Sequence, residues 1–144
     1  MQVYILKESN SDSRVAASPD TVKKMIEWGI NVVIQDNAGL NSNFSNEDYV
    51  KSGATISNEI TDISKSNLIL KINKPNDDEI ALMNEGSILI ASLDPYNNIE
   101  TVNKLKDRGV ISFAMELMPR ITRAQSMDIL SSQSNLAGYK AVID

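Results

Sequence analysis

The sequence has 144 residues, of which 42% are hydrophobic and 23% are charged, a composition typical of one globular domain with a single core. It contains no cysteine and no histidine, which excludes thiolate nucleophiles, disulfides, imidazole bases and the usual zinc or haem ligands. Its net charge of −5 without a basic stripe argues against nucleic acid as a partner, and no apolar run approaches the ~20 residues that cross a bilayer.

Short apolar runs alternate with amphipathic helices from the N-terminus to about residue 115, which is typical of successive βα units around a parallel sheet. Most of the runs are continuously apolar, as expected for strands covered by helices on both faces. The predicted strands are Val3–Leu6, Val32–Gln35, Leu68–Ile72, Ile88–Ala91 and Val110–Ala114, with Thr55–Ile56 as a short further candidate. The pattern predicts a Rossmann-like α/β lobe over residues 1–125, with an open, mostly parallel sheet.

Each predicted helix between these strands has a capping residue at its start and a glycine at its end. The pairs of first and last residues are Ser18 and Gly29, Ser45 and Gly53, Asn76 and Gly86, and Asn97 and Gly109. Another helix, rich in small and polar residues, is predicted from about Ser126 and has no C-terminal cap before Asp144. We therefore expect residues 126–144 to begin a helix that leads into a second lobe.

Ligands of an open parallel sheet bind beyond the carboxyl ends of its strands, where this sequence places polar segments. The six glycines are too far apart for a Gly-x-Gly-x-x-Gly loop or a P-loop, so we expect the chain alone to hold no pyrophosphate. The densest polar cluster spans residues 120–128. Taken by itself, this cluster favours an ordinary capped helix start in which Arg120 and Asp128 form an exposed ion pair.

Three motifs stand out: RVAASP at residues 14–19, LKINKP at residues 70–75 and the long run MPRITRAQSMD at residues 118–128, which is the most specific of the three. Together they resemble the alpha subunits of proton-translocating transhydrogenases. The similarity covers the chain from Met1 to Asp144. The resemblance implies that this is an N-terminal segment of such a subunit, in which the missing second lobe carries the glycine-rich loop and most of the NAD(H) contacts.

The first motif also occurs in alanine dehydrogenase, whose N-terminal lobe has the same fold. In that family a lysine that binds the keto acid occupies the position of Asn73, and a histidine lies in the loop that here reads Leu93-Asp94-Pro95. A neutral amide can neither pair with a carboxylate nor donate a proton as an acid, so the amino-acid dehydrogenase interpretation loses its chemistry. Arg14 is then expected to form a structural pair near the first strand.

The resemblance further implies that residues 118–128 and the following turn lie over the nicotinamide ring of NAD(H). Arg120, Asp128 and Ser131 would orient the ring, and Gln125 would reach toward NADP(H) on the beta-subunit NADP(H)-binding domain. Hydride transfer between two nicotinamides needs positioning rather than an acid, a base, a nucleophile or a metal. The implied setting is the cytoplasmic face of a bacterial inner membrane, or the mitochondrial matrix side, with the alpha subunit as a homodimer.

A stand-alone signalling module of receiver type is the alternative from another functional class. Such a module needs an acidic cluster after its first strand and a phosphoacceptor aspartate after a central strand. Glu8 and Asp12 supply acids, but the predicted third main strand ends in Lys71-Ile72-Asn73 without an acceptor. The sequence therefore favours the transhydrogenase interpretation over this module.

Overall fold

The computed structural model describes residues 1–9 and 11–143, and in this portion of the chain it has six strands and five α helices. The strands are β1 (Gln2–Ile5), β2 (Asn31–Gln35), β3 (Thr55–Ser57), β4 (Leu68–Leu70), β5 (Ile88–Ala91) and β6 (Ile111–Ala114). The helices are α1 (Pro19–Glu27), α2 (Asn46–Lys51), α3 (Asp77–Leu82), α4 (Ile99–Asp107) and α5 (Ile129–Ile143). All five predicted strands are confirmed within two residues, and the candidate at Thr55–Ile56 is the sixth strand.

All strand pairs in the sheet are parallel, and the strand order is β3-β2-β1-β4-β5-β6. The chain builds outward from β1 to β3, crosses back to β4 beside β1, and then builds outward in the opposite direction. The order therefore reverses between β1 and β4, which is where open α/β sheets usually bind ligands. The predicted α/β class and Rossmann-like architecture are confirmed.

Two apolar clusters cover the two faces of the sheet. Val3 and Ile5 of β1 face one cluster, which packs against α1 and α2, whereas Tyr4 of the same strand faces the other, which packs against α3 and α4. Successive side chains of a strand point to opposite faces, so the fully buried run Val3–Leu6 contributes side chains to both clusters. The sheet is thus held between two helical layers, and its carboxyl edge remains open to polar groups.

The predicted N-terminal caps are confirmed for the first three helices and wrong for α4, and α3 ends at Leu82 rather than at the predicted Gly86. The Ser18 hydroxyl accepts a hydrogen bond from the Thr21 amide at 3.3 Å, and both α2 and α3 begin with a reciprocal capping box. Helix α4 instead begins at Ile99, after Asn98 rather than Asn97. The Asn97 amide donates to the carboxylate of Asp94, which draws Asn97 into the preceding turn and away from the helix end.

Helix α5 begins three residues later than predicted. Residues Thr122–Met127 form a 3-10 helix, and α5 starts at Ile129 because the Asp128 carboxylate accepts the backbone amides of Leu130 and Ser131 at 3.0 and 3.1 Å. Beyond its first turn α5 is exposed along its length, with Tyr139 71% exposed and Val142 87% exposed. Among residues 1–9 and 11–143, no helix has the length and apolar character to span a membrane.

Candidate functional site

A cleft of about 460 Å³ opens at the carboxyl ends of β4 and β5, near the reversal of strand order. Leu70 and Ile90 form its apolar floor, and Arg14, Lys71 and Ser92 contribute polar atoms around it. The first turn of α5 closes one side through Ile129, Ser132 and Gln133. The cleft therefore joins the sheet edge to the segment that follows β6.

Glu8, which is buried, links the loop after β1 to the end of β4. Its carboxylate accepts the backbone amide of Ile72 at 2.7 Å, and it accepts both the backbone and the side-chain amide of Asn73 at 3.3 and 2.9 Å. Unpaired backbone amides in the loops and helix N-termini that follow strands hold anionic ligands in many α/β folds. In this lobe an internal carboxylate already occupies those donors.

Asp12 and Arg14 form a forked ion pair beside this contact. Arg14 donates from Nε and Nη2 to the two Asp12 carboxylate oxygens at 2.9 and 2.7 Å, and the second Asn73 amide hydrogen reaches Asp12 at 2.8 Å. The hydrogen bond from Arg14 holds the pKa of Asp12 well below its ordinary value, and the Asp12 carboxylate raises the pKa of Arg14. The expected structural pairing of Arg14 near the first strand is thus observed.

The second cation of the cleft is also neutralised within the chain. The Lys71 ammonium lies 2.6 Å from both carboxylate oxygens of Glu79, and the two side chains are only 7% and 6% exposed. Glu79 also accepts the backbone amide of Asn76 at the start of α3. Because Arg14 and Lys71 are both paired with carboxylates of the chain itself, the described lining of the cleft offers no unpaired cation to an anionic ligand.

A further internal carboxylate satisfies the backbone at the end of β5. Glu116, in the turn after β6, accepts the backbone amides of Leu93 and Asp94. Asp94 has a positive φ of 45°, a conformation that aspartate tolerates better than most residues. The ends of β4 and β5 are therefore both capped by glutamates from neighbouring segments, which leaves few free donors for a pyrophosphate.

The predicted site residues Arg120, Gln125, Asp128 and Ser131 lie in the segment after β6 and in the first turn of α5, so topology brings them to the carboxyl edge. Arg120, Gln125 and Ser131 are exposed, Asp128 is half-buried, and none of the four is among the residues that line the cleft. The Ser131 hydroxyl donates to Asp128 at 2.6 Å, and this bond lowers the pKa of Asp128.

The expected ion pair between Arg120 and Asp128 is wrong: within the described residues, the Arg120 guanidinium forms no hydrogen bond or salt bridge. Asp128 instead uses its carboxylate to cap α5 through Leu130 and Ser131. These contacts span only two and three residues and fix the carboxylate toward the helix. The Ser131 hydrogen bond is the largest cause of the lowered pKa of Asp128. The charge of Arg120 lowers this pKa further, by a smaller amount, without a direct contact. Its guanidinium hydrogens thus remain at the carboxyl edge for another acceptor.

The polar contacts among Glu8, Asp12 and Asn73, and the buried Lys71–Glu79 pair, were not predicted from the sequence. The one signal that the sequence contains for these contacts is that each partner follows a strand or lies in a first helical turn. This signal does not say which partners meet, because residues such as Glu8 and Asn73 are 65 positions apart. Across residues 1–9 and 11–143, the structure contains no cluster of metal-ligating side chains.

Comparison with known proteins gives one consistent family. Residues 4–137 match the family described as "Alanine dehydrogenase/PNT, N-terminal domain". An NAD(P) transhydrogenase alpha subunit of Rhodospirillum rubrum is 42% identical to this chain, over 100% of this chain and 39% of its own length. The crystal structure of transhydrogenase from Sinorhizobium meliloti superposes with a TM-score of 0.95 and 46% identity, over 100% of this chain and 43% of that one.

Alanine dehydrogenase is a more distant relative on the same fold. An L-alanine dehydrogenase structure superposes with a TM-score of 0.77 and 29% identity, covering 81% of this chain and 32% of that one. The chain spans about two fifths of the length of the Rhodospirillum rubrum relative.

Proposed function

Because the chain belongs to the alanine dehydrogenase/PNT N-terminal domain family, we propose that it forms the first lobe of the NAD(H)-binding region of a proton-translocating transhydrogenase alpha subunit. The transhydrogenases and alanine dehydrogenases that share this domain are oxidoreductases that use nicotinamide cofactors. In this proposal residues 1–125 are the Rossmann-like lobe, and residues 126–144 begin the helix that leads to a second lobe. The isolated chain is not catalytic, because the second lobe supplies the glycine-rich loop that grips the pyrophosphate.

The single observation that favours transhydrogenase over alanine dehydrogenase is the environment of Asn73. Its side-chain amide has two hydrogens, and both are used, one by Glu8 and one by Asp12. Arg14 is held by Asp12 as well. A keto-acid carboxylate would find a neutral amide at position 73 whose hydrogens are already used, and the two cations that line the cleft, Arg14 and Lys71, are paired with carboxylates of the chain itself, so the lobe is poorly suited to an acid substrate.

In the proposed reaction, hydride passes directly from NADH to NADP⁺, and the protein contributes position rather than proton transfer. Arg120, Asp128 and Ser131 would hold the nicotinamide and its carboxamide, with the Asp128–Ser131 hydrogen bond fixing the geometry of that turn. Gln125 would extend toward NADP(H), which the beta-subunit domain holds. The exposure of Gln125 supports its assignment, because a residue that reaches a second protein must lie on the surface.

The proposed assembly places the alpha subunit as a homodimer at the cytoplasmic face of a bacterial inner membrane, or on the matrix side in mitochondria. Proton movement belongs to membrane-spanning segments elsewhere in the complex. In this arrangement the lobe contacts the NADP(H)-binding domain of the beta subunit and makes no direct contact with the membrane.

Hydride transfer measured with a variant of Gln125 tests the proposal. A chain extended to the length of its relatives is mixed with the NADP(H)-binding partner, and Gln125→Ala is compared with Lys23→Ala, a substitution at an exposed residue of α1 outside the proposed site. We expect Gln125→Ala to slow hydride transfer strongly while NADH affinity changes little, and we expect Lys23→Ala to behave as wild type. Normal turnover in Gln125→Ala would remove Gln125 from the site.

A further inference from the structure

A continuous series of polar contacts connects the end of β4 to α5. Glu8 accepts from the amides of Ile72 and Asn73, Asn73 donates to Asp12, and Asp12 holds Arg14. The remaining Arg14 nitrogen, Nη1, donates to Oε1 of Gln133 in α5 at 3.3 Å, across 119 positions of sequence. We call these residues, Glu8, Asn73, Asp12, Arg14 and Gln133, the polar relay.

Helix α5 is attached to the lobe through one side of its first turn. Ile129, Ser132 and Gln133 are spaced at i, i+3 and i+4, so they lie on one helix face, and all three line the cleft. The side chains farther along, including Leu136 and Tyr139, are largely exposed. Helix α5 also contacts the 3-10 helix Met115–Leu117, whose Met115 lines the same cleft, so the described contacts that set the direction of α5 are concentrated at the cleft.

Within the attachment, Gln133 accepts the hydrogen bond that ties α5 to the loop between β1 and α1. Ile129 contributes apolar contact, which is not directional. The Arg14 guanidinium, in contrast, is held by two hydrogen bonds to the Asp12 carboxylate and is therefore a donor of fixed direction. Asp12 takes Nε and Nη2 of Arg14 and leaves Nη1 aimed at α5. Asp12 is itself fixed by Asn73, whose position depends on the buried Glu8.

We propose that Arg14 is a positioning residue, which sets how the first turn of α5 docks against the cleft through Gln133. The same turn carries Asp128 and Ser131, and the segment before it carries Arg120 and Gln125. The polar relay would thus fix the residues of the proposed nicotinamide site relative to the sheet, and in this respect the inference rests on the proposed function. The docking itself requires no nucleotide.

Amide hydrogen exchange measured by NMR on the 144-residue chain tests the docking directly. In both Arg14→Ala and Gln133→Ala, we expect the amides of residues 132–135 to exchange about fivefold faster, the factor that corresponds to about 1 kcal/mol for a lost hydrogen bond. The amides of Tyr4 and Ile69 in the core strands should keep their wild-type rates. Arg123→Ala is the matched control, because it removes an exposed arginine just before α5 that lies outside the polar relay.

Two further variants separate positioning from general stabilisation. The double variant Arg14→Ala/Gln133→Ala should exchange no faster than either single variant, because the two residues act through one bond. In Gln133→Glu, the amides of residues 132–135 should exchange as slowly as in wild type or more slowly, because the glutamate forms a charged pair with Arg14. Added salt should reduce this extra protection from exchange. Effects that multiply in the double variant, or unchanged exchange in Gln133→Ala, would overturn the proposal.

The exchange result and the hydride-transfer result are independent. Faster exchange in Arg14→Ala together with normal hydride transfer by Gln125→Ala in the extended protein would keep the docking and reject the proposed role of Gln125. Slow transfer in Gln125→Ala together with unchanged exchange in Arg14→Ala would keep the site and reject the relay. If Arg14→Ala fails to fold, Gln133→Ala still decides the question, because Gln133 is an exposed helix residue.

Discussion

The ammonium of Lys71 lies 2.6 Å from each carboxylate oxygen of Glu79, and this pair is buried at the edge of the cleft. Lys71 follows β4 directly, and Glu79 lies in the first turn of α3, where it also closes the capping box with Asn76. The pair therefore joins the end of a central strand to the helix that follows it. Removal of either partner leaves an uncompensated charge in a buried position.

We expect Lys71→Met to destabilise the chain by about 3–5 kcal/mol, the usual cost of leaving one member of a buried ion pair alone. Urea denaturation followed by circular dichroism measures this change. Lys104→Met is the control, because Lys104 pairs with Asp77 and Glu100 on the surface and its loss should have little effect. The double variant Lys71→Met/Glu79→Gln, which removes the second charge but keeps an acceptor for the Asn76 amide, should recover much of the lost stability, and failure to recover any would argue against the pair as the cause.

The Asp12 carboxylate should make stability depend on acid pH. Its hydrogen bond with Arg14 lowers its pKa below the ordinary value of 3.8, so the folded chain favours the ionised form. A group with a depressed folded pKa contributes stability above its unfolded pKa, and this contribution is lost as the pH falls through the folded pKa. We expect Asp12→Asn to lower Tm at pH 7, and the difference from wild type to shrink as the pH falls below about 4.

Thermal denaturation at several pH values measures the Asp12 effect. Asp20→Asn is the matched control, because Asp20 is exposed in the first turn of α1 and takes no part in the polar relay. A constant difference in Tm between wild type and Asp12→Asn across the acid range would show that the ion pair is not the source of the stabilisation.

Gly39 is required for packing rather than for its backbone conformation. Its φ of −93° is ordinary, but a Cβ atom at this position would lie 2.6 Å from the Tyr49 ring and 2.9 Å from Phe44. Tyr49 is fully buried, and its hydroxyl donates to the Ala17 carbonyl at 2.8 Å, so the ring has no room to move. Burial also raises the pKa of Tyr49 to about 12, which keeps the hydroxyl protonated as a donor.

We expect Gly39→Ala to cost about 1–3 kcal/mol through overpacking against Tyr49. Gly138→Ala is the natural control. Outside the nearby helix backbone, no described atom lies within 4 Å of a Cβ added to Gly138 in α5, and alanine favours helix more than glycine does. Chemical denaturation should show a lower midpoint for Gly39→Ala only. Equal midpoints for the two variants would mean that Tyr49 moves to accommodate the added Cβ with no loss of stability.

The chain alone should bind NADH weakly. The amides at the ends of β4 and β5 are used by Glu8 and Glu116, and no glycine-rich phosphate loop is present in the sequence. Isothermal titration calorimetry should give much tighter NADH binding for a chain extended through a second lobe. Comparable affinities for the two chains would contradict the proposal that the pyrophosphate is gripped elsewhere.

The sequence by itself determined the strands and most of the helix starts, because these depend on contacts within a few residues. The capping boxes at Ser45 and Asn76 connect positions three apart, so spacing alone reveals them. Likewise, continuous apolar runs such as β1 identify buried strands. The absence of cysteine and histidine already limited the chemistry, and the run at residues 118–128 already indicated the family.

Only the tertiary structure decided which polar groups meet at the carboxyl edge. Asn98 rather than Asn97 precedes α4, since Asp94 captures the Asn97 amide, and Asp128 caps α5 instead of pairing with Arg120. Glu8 meets Asn73, and Arg14 meets Gln133, only because the strand order places β1 beside β4 and returns the chain after β6 to the same edge. Contacts across 65 and 119 positions depend on that order, which no local pattern in the sequence encodes.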